Sequence, residues 1–224
     1  YEASIQLFCK TNAQEIMGVL AEHHGFALEI QQRLAWQEQI RLLQISLTGI
    51  DDGLIFFEFS IPRMGKRADV VLLIGCAIFV VEFKVGADSF DRAALEQVHD
   101  YALDLKNFHR GSHHHAILPV LIATKAPCQS VALIKWANDA VAQPIGVSPP
   151  ELYLLITSTL GKLKATSIDS ATWARSGYLP TPSIVEAAQA LYRDHDVREI
   201  SRSDAGAKNL GLTTDCLAEI IEHS

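Results

Sequence analysis

Residues 70–74 (Val-Val-Leu-Leu-Ile) and 77–81 (Ala-Ile-Phe-Val-Val) are two unbroken apolar runs separated only by Gly75-Cys76. Each has strand length and many β-branched residues, and each falls far short of the roughly 18 apolar residues that suggest a membrane span. Gly75 stands at the first central position of a two-residue turn, where type II′ geometry requires a positive φ that glycine adopts without penalty. The pattern predicts an antiparallel hairpin of strands 67–74 and 77–85. Strands this apolar belong inside a larger sheet whose faces are covered by helices.

The turn also fixes the register. It sets Val70 across from Val81 and therefore Asp69 across from Glu82. Directly opposed residues share a face, with Cβ atoms about 4.5–5.5 Å apart. Two carboxylates forced together repel, so a proton, a basic neighbour or a divalent cation has to compensate them. Lys84 lies two residues beyond Glu82 and shares its face, whereas Phe83 points into the opposite packing layer. The plain alternative is an edge salt bridge, with Lys84 pairing both acids on a solvated face. The apolar surroundings weigh against it, because uncompensated charge is costly there. A hard cation such as Mg²⁺ or Mn²⁺ takes oxygen ligands, usually one or two carboxylates plus waters and phosphate oxygens. The Phe83 backbone carbonyl, between the two side chains, is a further candidate ligand. Such a cation would acidify a water and neutralise charge on a phosphoryl oxygen, while Lys84 could hold or deprotonate that water or stabilise the transition state.

Around the hairpin, residues 13–24 read as a short helix entered from Asn12 and ended at Gly25. A second helix is expected over 30–47, with Leu34, Ala35, Leu42, Ile45 and Leu47 as its apolar positions, and 49–53 supplies the break. A strand follows at 54–61, in which Glu58 alternates with Phe57 and Phe59 and lies either beside the acidic pair or on a wet face. Ser89 can cap a helix over 90–108 with Leu95, Val98, Ala102 and Leu105 buried. Gln97 and Tyr101, spaced i, i+4 on it, share a face that can look back over the strand ends; they either orient a phosphate or are ordinary helix residues. Further strands are expected at 116–124 and 152–157, with a helix at 130–142 between them. The short links among the first three strands favour an antiparallel meander, and the whole order gives an α/β (α+β) mixed sheet with helices on both faces. After Pro180 the character changes, with helices expected at 183–192 and 213–223.

The 224 residues carry 19 Lys+Arg against 26 Asp+Glu, a net charge of −7, the wrong sign for holding nucleic acid by bulk electrostatics. With 49% hydrophobic and 20% charged residues the chain is not of a disordered class. Four cysteines without a CxxC pair fit reduced thiols and a cytoplasmic location. His113-His114-His115, near Lys106, His109 and Arg110, reads as a solvated or nucleic-acid-facing loop, since consecutive histidines cannot all reach one ion from a regular element. GxSxG, HExxH, Rossmann and GxxxxGK[ST] patterns are all absent.

Asp69, then Glu82-Phe83-Lys84, then Gln97-x-x-x-Tyr101, in the order helix, three strands, helix, strand, resemble the PD-(D/E)xK phosphodiesterase superfamily, and the Gln-Tyr helix motif is similar to that of its RecB-type branch. The resemblance covers about residues 30–160 and implies a restriction-endonuclease-like αβββαβ core. It implies Asp69 and Glu82 as ligands of Mg²⁺ or Mn²⁺, Lys84 as the catalytic lysine, and Gln97 and Tyr101 as substrate-orienting residues. It also implies Glu38 as the acidic metal-site residue that many members carry on the first core helix. Ala68 stands where the motif often has proline. The expected organisation is an N-terminal helical extension (1–29), a nuclease core (30–179) and a C-terminal helical or linker segment (180–224). Residues 181–192 and 197–210 resemble the stretch before the first ATP-binding motif in bacterial nuclease-helicase fusions related to Schlafen-type helicases. That implies the nuclease portion of a longer protein, tethered to a helicase or ATPase, with a role in phage defence or DNA processing. The expectation is a metal-dependent nuclease acting on DNA or RNA. Its rivals are a nuclease-like module that docks nucleic acid or a partner without cutting, and an interaction scaffold. With basic loops only at 63–67 and 106–115, substrate binding should be weak and salt-sensitive, with affinity supplied by the tethered partner.

Overall fold

The computed structural model describes residues 1–22, 30–129 and 133–178. The chain divides into Tyr1–Gly177 and Tyr178–Ser224. The helices expected at 183–192 and 213–223, and the end of the one expected at 13–24, lie outside the described residues.

The first unit runs β1 (Glu2–Ser4), α1 (Ile5–Lys10), α2 (Ala13–Glu22), α3 (Ile30–Ser46), β2 (Leu54–Ile61), β3 (Lys66–Ile74), β4 (Ala77–Lys84), α4 (Arg92–Phe108), β5 (Ala116–Ala123), β6 (Ile145–Val147), α5 (Leu152–Lys162) and α6 (Ser170–Arg175). The strands form one six-stranded sheet in sequence order. β1 to β4 pair antiparallel, and β4, β5 and β6 pair parallel. This is the expected mixed sheet flanked by helices. Residues 1–22 belong to the same unit: β1 extends the sheet beside β2, and Ile5, Phe8, Ile16 and Leu20 join its core.

The hairpin forms as its sequence requires. Gly75 has φ +56° while Cys76 stays out of the positive-φ region, as a type II′ turn demands. Ile74 pairs with Ala77 and Val70 with Val81. One set of alternating residues, Val70, Leu72 and Ile74 with Phe79, Val81 and Phe83, joins the cluster that includes Trp36, Ile40 and Leu43 of α3. The other set, Val71, Leu73, Ile78 and Val80, is equally buried and faces the layer that α4 covers. Each fully buried large side chain contributes about 1.5–3 kcal/mol. β5 tolerates Pro119 because the residue falls between the Ile117–Val141 bridge and the Val120–Ile145 pair, where no ladder donor is required.

Several expectations are corrected. Residues 152–157 are the start of helix α5, not a strand: Ser148 and Glu151 form a capping box around Pro149-Pro150, and Leu152, Leu155, Ile156 and Thr159 bury at helical spacing. The last strand is the short β6 instead. Within the expected helix at 130–142, the described residues from Leu133 on form a turn; Asp139 accepts from the Val141 N–H, Ala140 has φ +64°, and Trp136 bridges Ala142. On α3 the buried stripe is Trp36, Ile40 and Leu43, leading to Leu47, while Leu34 and Ile45 are exposed. α4 is capped by Asp91 rather than Ser89, and Ala94 and Tyr101 bury where Leu95 was expected. Among the described residues no helix is long and apolar enough to cross a membrane, and Cys9, Cys76 and Cys128 are free thiols.

Candidate functional site

At the charged end of the hairpin the sheet forks. β3–β4 pairing stops at Val70–Val81, whereas β3 stays with β2 as far as Lys66–Ile61 and β4 stays with β5 as far as Lys84–Ala123. An unbroken ladder would engage the Phe83 N–H with the β3 backbone; here it donates to Asp69 Oδ2 at 2.8 Å. The carboxylate takes the place of a backbone acceptor and is thereby held in the mouth of the fork.

Asp69 and Glu82 both line a cleft of about 550 Å³, together with Gln32 and Gln39 of α3, Lys84, and the α4 cap Asp91. Gln39, only 4% exposed, donates to Asp69 Oδ2 at 3.4 Å. Glu82 is 6% exposed. Its Oε1 accepts from Lys84 Nζ at 3.3 Å and from Gln97 Nε2 at 3.0 Å. Its Oε2 is buried with no hydrogen-bond partner among the described residues. Burial, and then the charge of Glu82, raises the Asp69 pKa. Burial raises that of Glu82 too, against the opposing pull of Lys84. Two acids that resist ionisation, one with an orphaned oxygen, form a donor set that a hard divalent cation would satisfy.

Not every residue named from the sequence arrives there in the expected way. Gln97 and Tyr101 do not line the cleft. Gln97 Nε2 bridges Glu82 Oε1 and the Tyr101 hydroxyl, the latter at 2.8 Å, and Tyr101 is buried. Gln97, itself held by Tyr101, thereby fixes Glu82 Oε1. Glu38 is not among the lining residues; it forms a bidentate pair with Arg41 at 2.9 and 3.1 Å, which lowers its pKa. Among the described residues no group of three or more His, Cys, Asp or Glu is arranged to hold a metal. The Phe83 side chain is in the core, as its alternation requires, and its backbone N–H is engaged at Asp69.

The His-rich segment lies elsewhere. It precedes Ala116, which pairs with Ala77 at the opposite end of β4 from Lys84, about 23 Å away at strand rise. It is also folded rather than simply solvated. His109 is buried between Ser112 and Ser176, with the Trp173 ring against it, and burial pulls its pKa down to about 4. Lys106 Nζ donates to the His115 carbonyl. Basic residues at the fork end are Lys66 and Arg67 at the start of β3 and Lys125 after β5.

Sequence reasoning missed Gln39, whose position beside the buried Ile40 and one turn beyond Ala35 was the available signal, and it left Glu58 undecided. Glu58 occupies the position on β2 that corresponds to Asp69 on β3, between the pairs Phe57–Val70 and Phe59–Ala68, and is itself left out of the ladder. Between those two regular pairs Glu58 has φ +51°, a left-handed value that costs a residue with a Cβ about 1–2 kcal/mol. Comparison with family models, with characterised proteins and with solved structures gives no match to this chain.

Proposed function

We propose that the fork between β3 and β4 is the active site of a divalent-cation-dependent nuclease of the PD-(D/E)xK type. DNA is the proposed substrate and RNA the alternative. The observation that carries this reading is the pair Asp69 and Glu82 at the mouth of the cleft, joined by Lys84 on Glu82 and by a buried Glu82 oxygen without a partner. Asp69 and Glu82 would hold Mg²⁺ or Mn²⁺, with the Phe83 carbonyl as a further oxygen donor. When bound, the cation supplies Lewis acidity, lowering the pKa of a water and neutralising charge on the phosphoryl group. Lys84 Nζ, in a side chain 37% exposed, would orient the attacking water and counter charge in the transition state. Water adds to phosphorus, the ester P–O bond breaks, and a phosphomonoester and a hydroxyl leave. Gln97, backed by Tyr101, keeps Glu82 Oε1 in place. Gln39 and the Phe83 N–H do the same for Asp69.

The widely spaced, free thiols support a reducing, cytoplasmic setting. The acidic chain supports dependence on a tethered helicase or ATPase for substrate affinity, and the proposed context is phage defence or DNA processing. The test is cleavage of single- and double-stranded DNA and of RNA in Mg²⁺, Mn²⁺ and chelator. Wild-type protein is expected to cut only with metal, and Asp69→Ala and Lys84→Ala to lose at least about 100-fold of the rate. Equal activity in the variants would place the chemistry elsewhere. A folded protein that binds metal and oligonucleotide without cutting would favour the docking module.

A further inference from the structure

Glu58, Asp69 and Glu82 form a row of corresponding positions on three neighbouring strands. Glu58 stands between the pairs Phe57–Val70 and Phe59–Ala68, which bracket Asp69 on β3, and Glu82 is the first β4 residue beyond the last β3–β4 pair, Val70–Val81. The three therefore sit where the β2–β3 ladder is interrupted and the β3–β4 ladder opens. Like charges side by side are unfavourable, and nothing in the apolar interior of the sheet demands them. The orphaned Oε2 of Glu82, in a side chain more than nine-tenths buried in the wall of the same cleft, marks the place where a ligand is wanted.

Glu58 is held to this row by specific contacts. Its Oε1 accepts from the indole Nε1 of Trp36, on the cleft-lining helix α3, at 2.8 Å, and Arg67 Nη1 lies 3.9 Å from Oε2. Its side chain is 17% exposed. The left-handed backbone at Glu58 interrupts an otherwise regular ladder and is retained without the glycine that conformation favours.

From this row we infer that Glu58 is the third carboxylate of the divalent-cation site, an outer residue that contributes negative charge to cation binding without being one of the direct ligands. The inference rests on the proposed metal site at Asp69 and Glu82. The outer role follows from the geometry: no three acids are arranged to ligate directly among the described residues, and Trp36 and Arg67 already engage both oxygens of Glu58. Glu58 is thus a positioning residue, tuning affinity rather than touching the reacting atoms.

The experiment is calorimetric titration of the full chain with Mn²⁺, alongside thermal melting in chelator. Glu58→Gln keeps an acceptor for Trp36 and removes only the charge. It should weaken Mn²⁺ binding about tenfold, the lower end of the range for residues that support metal ligands, without lowering the metal-free melting temperature. Glu58→Gly removes the carboxylate while suiting the observed φ, and it should weaken binding likewise; it decides the matter if Glu58→Gln fails to fold. Asp69→Asn should abolish binding. Wild-type affinity in the Glu58 variants with loss in Asp69→Asn overturns the role of Glu58 and leaves the metal site standing. Wild-type affinity in Asp69→Asn, or no binding by wild type, overturns both.

Discussion

At the scale of single residues, the site is defined by what Asp69 and Glu82 give up. Each is driven toward its protonated form by burial, and the two oppose each other across the fork. A folded carboxyl with a raised pKa binds its proton more tightly than the unfolded chain does. It therefore supports the fold below the ordinary carboxylate range, and that support is lost as pH rises toward the raised value. Metal-free protein should melt at progressively lower temperature, relative to Asp69→Asn, as pH rises from about 4 to 8. The difference amounts to about 1.4 kcal/mol for each unit by which the folded pKa exceeds the unfolded one. Asparagine keeps an oxygen for the Phe83 N–H, so the comparison isolates charge; His109 titrates in both proteins and cancels. Parallel melting curves across this range would show that Asp69 carries no such penalty. Asp69, Glu82 and Lys84 were legible because a two-residue turn converts sequence spacing into spatial pairing. The true contacts of Gln97 were not, because i, i+4 spacing names a shared helix face but not what lies beneath it.

At the scale of elements, turn and cap chemistry proved more informative than hydropathy. The 70–81 hairpin is written in Gly75 and in uninterrupted apolar runs rich in β-branched residues, and strands β2 to β5 fall close to their expected positions. Residues 152–157 look like a strand by composition, yet Ser148-Pro-Pro-Glu151 in front of them is a helix start and makes them the first turns of Leu152–Lys162. The three-residue strand β1 is too short to carry a hydropathy pattern, and its pairing to β2 is a tertiary fact. The entry to β2 depends on Gly53. It has φ +133°, and a Cβ there would meet the Leu73 carbonyl oxygen of β3 and lie 2.9 Å from Ile5 Cδ1. Gly53→Ala should destabilise by about 1–3 kcal/mol from backbone strain alone, measured by urea denaturation with the slope unchanged. An unaffected midpoint would mean that the β1–β2–β3 layer is not packed as described.

At the scale of the whole molecule, the net charge of −7 and the position of the basic residues belong to one argument. The His-rich segment is at the far end of the sheet, and among the described strand-end residues the fork offers Lys66, Arg67, Lys84 and Lys125 to a phosphate backbone. At about 0.9 counterions per phosphate neutralised, oligonucleotide affinity should fall with salt at a logarithmic slope no steeper than about −3.6, checked by fluorescence anisotropy over a salt series. A much steeper slope would point to a basic surface away from the cleft. The compact unit Tyr1–Gly177 contains every residue of the proposed site, which makes the chemistry local even if affinity is borrowed from another module.

The central claim is that the fork binds a divalent cation between two carboxylates, and the most direct measurement is anomalous diffraction from crystals soaked in Mn²⁺. The predicted result is a single dominant peak within ligating distance of Asp69 and Glu82, with Glu82 Oε2 among its ligands. The contradicting result is a well-ordered fork with no peak there and a proton shared between the two acids.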